Sequence, residues 1–260
     1  MPVALLVNTY LPAYRAQLNL PLAELIATLA EERNGGGADL LNLYESAVAS
    51  SQIEGSKVTL DLFKRTMEAA GSGPRPRDVQ EVADLVSAYR FAQVNPLNIA
   101  NLLEAHRIAS ALLVNANDRG AWRTKGVKVG NAITTVYMAP HQSLVPSLMD
   151  QLMEETGTLL DQKLTIEEAF YFAALLHLVF VKVHPFIDGN GRTGRLLEKW
   201  FLESHIGPIA WSIRSERYLI RNLDDYYDTL AAVGPDWGSL QWDRCLPFML
   251  LLPQALTMKR

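Results

Sequence analysis

Val183 to Arg195 reads VHPFIDGNGRTGR: three glycines, two arginines, an aspartate, an asparagine and a histidine directly behind a long apolar run. Glycines let a backbone turn its N–H groups inward, and a helix starting here adds its positive end, so the stretch predicts an anion nest. The segment ahead, Thr165 to Val183, opens with Thr165 and Glu168 spaced as a capping box. It then runs apolar on nearly every side through Phe170, Phe172, Leu175, Leu176, Val179 and Phe180. That pattern predicts a buried central helix. Behind the nest, Leu196, Leu197, Trp200 and Phe201 return at helical spacing, so the loop is expected to feed straight into a second helix.

Outward from this pair the chain reads as mostly α. ADLLNLYESAVASSQIEG and TLDLFKRTMEAAG are helical in period, and each closes on a glycine of the kind that caps a helix. Both lie between breaks at Asn34–Asp39 and Gly71–Arg77. Further helices are expected over Asp78–Phe91, Asn98–Val114 and Leu144–Leu160, and in SERYLIRNLDDYYDTLAAV, while Pro247 and Pro253 imply a kinked final element. One stretch differs: in GVKVGNAITTVYMAP the β-branched residues and the Gly130-Asn131 pair predict a hairpin with a tight turn.

The 260 residues, 49% of them hydrophobic, suffice for one large core or two smaller ones. A net charge of −4 supplies no basic field for nucleic acid or anionic membrane, so neither is expected as a partner. The single cysteine, Cys245, excludes an internal disulfide and reads as a small buried hydrophobe. The apolar runs near the two ends are too short or too proline-broken to span a bilayer, and a cytoplasmic protein is expected.

Gly189, Gly191 and Gly194 satisfy the dinucleotide pattern G-x-G-x-x-G, but a helix stands where that motif needs a strand. A Walker A loop is excluded too, since Arg195-Leu196 stands where Lys-Ser/Thr is required. The physics of the nest outlives both failures. Arg192 and Arg195, one helical turn apart, would offer fork-shaped donors to phosphate oxygens. Asp188 supplies a hard oxygen for Mg²⁺, which bridges one or two carboxylates to phosphates. His184, at the exit of the buried helix, is placed to take a proton from a hydroxyl. Taken singly, a helix-end histidine or a Gly-Asn-Gly turn needs no function. Two arginines and a carboxylate gathered at one turn call for an anion and a cation.

The string His184-Pro-Phe-Ile-Asp-Gly-Asn-Gly-Arg-Thr-Gly-Arg195 resembles the signature of the Fic family, H-P-F-x-[D/E]-G-N-G-R-x-x-R, at every defined position, and the resemblance runs over roughly Asn98 to Leu252. It implies a helical bundle with one β-hairpin flap, built as an N-terminal helical region (1–97) and a catalytic core (98–260). The implied activity is AMP transfer from ATP to a tyrosine, threonine or serine hydroxyl of a target protein. By motif position His184 is the general base and Asp188 holds Mg²⁺. Gly189, Asn190, Gly191, Arg192, Thr193, Gly194 and Arg195 form the ATP site, and Asn222, Tyr226 and Tyr227 lie near the adenine. Val129, Gly130, Asn131, Ala132 and Ile133 of the flap would hold the target by strand addition. Self-modification and homodimers that tune activity belong to the same implication.

Earlier in the chain, Ser50 and Glu54 share a helical face and Gly55 closes the helix. Glu54 thereby stands at the negative end of its own helix, which costs about a few tenths of a kcal/mol unless a cation compensates. Ser50-x-x-x-Glu54-Gly55 resembles the family's inhibitory motif, on a helix spanning about 39–55, whose glutamate pairs with the second motif arginine, here Arg195. Autoinhibited AMP transfer is therefore expected. Removal of AMP in the same pocket, a non-catalytic ATP-sensing module, and a DNA-linked regulator stand as alternatives.

Overall fold

With apolar side chains on every face, Ile166–Val183 has to be wrapped on all sides. The computed structural model, which describes residues 4–33, 38–70, 73–130 and 135–258, shows how. In chain order the elements are α1 (Leu11–Gln17), α2 (Leu22–Arg33), α3 (Ala38–Ile53), α4 (Leu60–Ala70), α5 (Arg77–Val94) and α6 (Ile99–Ala109). The hairpin β1 (Lys128–Gly130) and β2 (Thr135–Met138) follows, then α7 (Val145–Leu160), α8 (Ile166–Val183) and α9 (Asn190–Ile206). Last come α10 (Ser215–Arg221), α11 (Leu223–Ala232), α12 (Leu246–Met249) and α13 (Leu251–Gln254). Neither α1 nor α2 was expected from sequence; Pro12 sits in the first turn of α1, where its missing N–H is harmless.

The capping box that starts α8 is formed in full: Glu168 N donates to Thr165 Oγ1 at 3.3 Å and Thr165 N to Glu168 Oε2 at 2.9 Å. From there Phe170, Leu176, Val179 and Phe180 are wholly buried, each contributing about 1.5–3 kcal/mol. Helix α9 runs back along α8. They meet tightly at Gly194, where a Cβ would stand 2.8 Å from His177 Cδ2 and 3.0 Å from Val181 Cγ1. Any side chain there would push the helices apart.

Helix α3 lies antiparallel to α9, and its contact face is polar every four residues. Asn42 Nδ2 donates to Ser212 Oγ at 3.1 Å, Lys199 Nζ to Ser46 Oγ at 2.6 Å, and Arg195 Nε to Ser50 Oγ at 2.9 Å. Lys199 also pairs with Glu216 at 2.8 Å, and Tyr89 OH donates to the other Glu216 oxygen at 2.6 Å. Buried charge is tolerable here because each member is hydrogen-bonded.

Two expectations are corrected. The helix expected to run to Val114 ends at Ala109, because the chain must turn back for Gly120 N to reach His106 Nδ1 at 2.9 Å. The tight Gly130-Asn131 turn is also overturned. Gly130 is a residue of β1 and pairs with Thr135 beyond a bulge, so it belongs to the strand and not to a turn. Asn131, Ala132 and Ile133 lie outside the described residues. The final element is broken as expected, into α12 and α13. Cys245 is buried, and desolvation pushes its thiol up to about 11, which makes it inert. Among the described residues no helix is long and apolar enough to cross a membrane.

Candidate active site

Helix α8 ends on His184, the one non-glycine residue with positive φ (+51°) among the described residues. Its N–H still bonds Phe180 O at 2.9 Å, and its Nδ1 stands 3.2 Å from Val181 O. A carbonyl only accepts, so Nδ1 carries the proton and Nε2 keeps its lone pair. Burial pushes the imidazole down to about 4, against the Val181 hydrogen bond and with further depression from Arg123. His184 is therefore a neutral, acceptor-ready ring at pH 7.

The turn after it is braced from two sides. Phe186 N donates to Asn190 Oδ1 and Asn190 Nδ2 to Phe186 O, both at 2.9 Å, so the asparagine amide is spent holding the loop. His106 stacks on Phe186 at 3.5 Å and donates from Nε2 to Asp188 O at 3.0 Å while its Nδ1 accepts from Gly120. Burial holds this histidine at about 4 as well. Gly189, at φ +82°, then swings the backbone into α9, whose first turn is Asn190–Thr193. The motif is thus half loop and half helix start, with Gly191 on the exposed side of that start.

A carboxylate covers it. Glu54 reaches across from the end of α3, and a Cβ on Gly191 would collide with Glu54 Oε1. The same oxygen accepts from Arg195 Nη2 at 2.7 Å, while Arg195 Nη2 also donates to Ser50 O at 3.0 Å. Arg195 is wholly buried; the Glu54 side chain keeps 32% exposure. Burial pushes the Glu54 carboxyl up, but Arg195, helped by Arg192, outweighs it and holds it below the usual carboxylate range. Arg195 is raised despite desolvation, chiefly by Glu54. The helix-end cost anticipated for Glu54 is met by a cation that also takes up an orphan carbonyl of the last turn. That turn is a Schellman cap: Ser56 N donates to Ser51 O at 3.1 Å and Gly55 N to Gln52 O at 2.9 Å, with Gly55 at φ +94°.

A cleft of about 420 Å³ joins these groups: Glu54, His184, Gly191, Tyr226 and Tyr227 share it with Val129, Gly130 and Tyr137 of the flap, and with Val181, Lys182, Leu230 and Ala231. Arg195 lies behind Glu54, and Arg192 is 8% exposed. Tyr227 OH donates to Ile53 O at 3.1 Å, whereas the Tyr226 hydroxyl points inward, 3.4 Å from Arg195 Nη1. Other expected residues do not line the cleft. Asp188 is exposed on a neighbouring hollow of about 390 Å³ beside Arg77 and Asp118. Asn222, between α10 and α11, donates its amide to Tyr218 O of α10. Gly194 belongs to the α8 contact, and Thr193 is 1% exposed.

Sequence reasoning missed Arg123. This 2% exposed arginine donates to the carbonyls of His184 (2.7 Å), Lys125 (3.0 Å) and Pro140 (2.6 Å), tying the base of the flap to the histidine turn. Lys182 was missed too; it sits over the Tyr137 ring at 4.2 Å, and burial pushes its amine down to about 8. Neither has a local pattern, since their partners are backbone and an aromatic face.

A glycine-bent helix start, an acceptor-ready histidine and a buried arginine under a two-stranded flap define a helical, anion-receptive site. Residues 96–202 match the Fic/DOC family. It is 32% identical over 189 residues to protein adenylyltransferase fic-1 of Caenorhabditis elegans, covering 66% of this chain and 35% of that protein. It is 30% identical over 163 residues to protein adenylyltransferase Fic of Nematostella vectensis, covering 59% of this chain and 36% of that protein. The chain thus spans about a third of the length of the curated relatives it matches. A Fic family protein from Desulfovibrio desulfuricans superposes over 96% of this chain and 72% of its own, with a TM-score of 0.76 at 25% identity. A Fic domain containing signaling protein from Bacteroides thetaiotaomicron shares the fold over 91% of this chain and 94% of its own, with a TM-score of 0.67 at 20% identity.

Proposed function

We propose that this chain is a protein adenylyltransferase, moving AMP from ATP to a hydroxyl side chain of a target protein, and that Glu54 holds it inactive. The observation that carries the reading is one cleft in which a base with a free lone pair, a helix-start nest and a detachable carboxylate meet. His184 Nε2 takes the hydroxyl proton. The oxygen bonds the α-phosphorus as the bond to the β-phosphate oxygen breaks, and pyrophosphate leaves. The N–H groups of the α9 start bind the α-phosphate, and Arg192 and Arg195 bind the outer phosphates. Asn190 acts by holding the turn that presents those N–H groups.

Asp188 would hold Mg²⁺. Its carboxylate is exposed, and no cluster of three or more His, Cys, Asp or Glu fit for a metal occurs among the described residues. That suits an ion taking most of its ligands from water and phosphate. Mg²⁺ there would neutralise charge on the departing pyrophosphate.

Glu54 over Gly191 takes the place of phosphate at the nest and occupies Arg195. Withdrawing it frees both. The test is protein labelling from α-labelled ATP by wild type and Glu54→Gly, followed by mass spectrometry of labelled residues; equal labelling would sink the autoinhibition reading. Loss of AMP from pre-labelled protein, dependent on Glu54, would favour AMP removal instead.

A further inference from the structure

Glu54 is the exposed partner of a cation that has no route to water. A buried guanidinium with one counter-ion resists losing it, so a detachable Glu54 requires a second source of negative charge. Behind Arg195 there is one. Arg195 Nη1 lies 3.4 Å from Tyr226 OH, Tyr226 OH 3.3 Å from His177 Nε2, and His177 Nδ1 2.9 Å from Glu198 Oε2. All four residues are at most 3% exposed. Arginine only donates, so Arg195 gives to the tyrosine oxygen, which leaves the tyrosine proton free to go to His177 Nε2 with His177 Nδ1–H turned to Glu198. The other Glu198 oxygen, Oε1, has no hydrogen-bond partner among the described residues. Glu198 stands one turn after Arg195 on α9, and the relay loops between them through α11 and α8.

We propose that Tyr226, His177 and Glu198 are positioning residues for Arg195. They hold its guanidinium in place and balance its charge when Glu54 withdraws, so that it stays ready for the outer phosphates. The inference rests on the reading of Glu54 as a lock. It also gives Tyr226 a role through Arg195 rather than against adenine.

The test measures MgATP affinity by calorimetry on the full chain, in wild type and in Glu54→Gly, each with and without Tyr226→Phe. With Glu54 absent, Tyr226→Phe should weaken MgATP about fivefold to tenfold; with Glu54 present, the shift should stay under about twofold, because Glu54 already fixes Arg195. A hydroxyl with only a structural role would cost both backgrounds alike. Equal shifts, or none in either background, overturn the proposal. Glu198→Gln tests the charge separately: Glu54→Gly should lower the melting temperature more beside Gln than beside Glu198, and equal drops would overturn it. Equal protein labelling by wild type and Glu54→Gly removes the lock alone, whereas background-independent affinity shifts remove the relay alone.

Discussion

The cleft has two walls, and they are held by different means. The α3 wall is built from side chains at four-residue spacing, each meeting a specific polar partner on or beside α9, and its last member, Glu54, is still a third exposed. The flap wall is built on backbone: Arg123 gathers carbonyls from both sides, Tyr137 OH donates to Lys182 O at 2.7 Å, and Met138 N donates to Pro235 O at 2.8 Å. The first wall therefore depends on which side chains stand opposite each other, and the second largely on where the backbone runs.

The largest effect should come where the walls meet. Adding His184→Ala to Glu54→Gly should lower labelling by about 10²–10⁴-fold, the usual worth of a positioned general base, as measured by initial rates with labelled ATP. Breaking the first wall should do the reverse: Glu54→Gly is expected to raise labelling at least about tenfold, in line with loss of a charge-assisted pair of about 1.5–3 kcal/mol. Breaking the second wall with Arg123→Ala strands buried carbonyls at about 1–3 kcal/mol each. Denaturant titration should show a loss of about 3 kcal/mol or more, and MgATP binding should survive in the folded fraction. Ser50→Ala, which removes one hydrogen bond to Arg195 but leaves Glu54, should activate only about twofold to fivefold.

A separate effect concerns acid. His106, wholly buried, falls to about 4 in the native protein from an ordinary 6.5, so the unfolded chain binds a proton that the folded one refuses. Stability should therefore hold above pH 6.5 and decline as pH falls toward 4, by about 1.4 kcal/mol per unit for this group. Melting temperatures across that window should decline less steeply in His106→Gln.

Much of the α8–α9 unit was legible because each signal is local: a capping box, an apolar run, and glycines where the backbone must bend. Glu54 was legible through the resemblance of Ser50-x-x-x-Glu54-Gly55 to an inhibitory motif, since an exposed acid at a helix end bears the small dipole cost unaided. What could not be read was long-range. Asn42, Ser46 and Ser50 look like unremarkable polar residues until Ser212, Lys199 and Arg195 are set opposite them, and Arg123 gives no hint that its donors meet carbonyls tens of residues away. Gly194 was placed at the anion site by its position in the resembled signature; the structure sets it where two helices touch. Tyr226 and Tyr227, adjacent in sequence, face different tasks, one toward Arg195 and one toward the last carbonyl of α3.

Gly55 holds its left-handed turn with nothing within 4 Å of where a Cβ would stand. A larger residue would fit the space but strain the backbone by about 1–2 kcal/mol. Such a change would leave the Glu54 carboxylate chemically intact while loosening the aim of the arm that carries it. Position 55 is thus a rheostat: graded substitutions there would set how firmly Glu54 closes over Gly191 without touching any other group of the cleft.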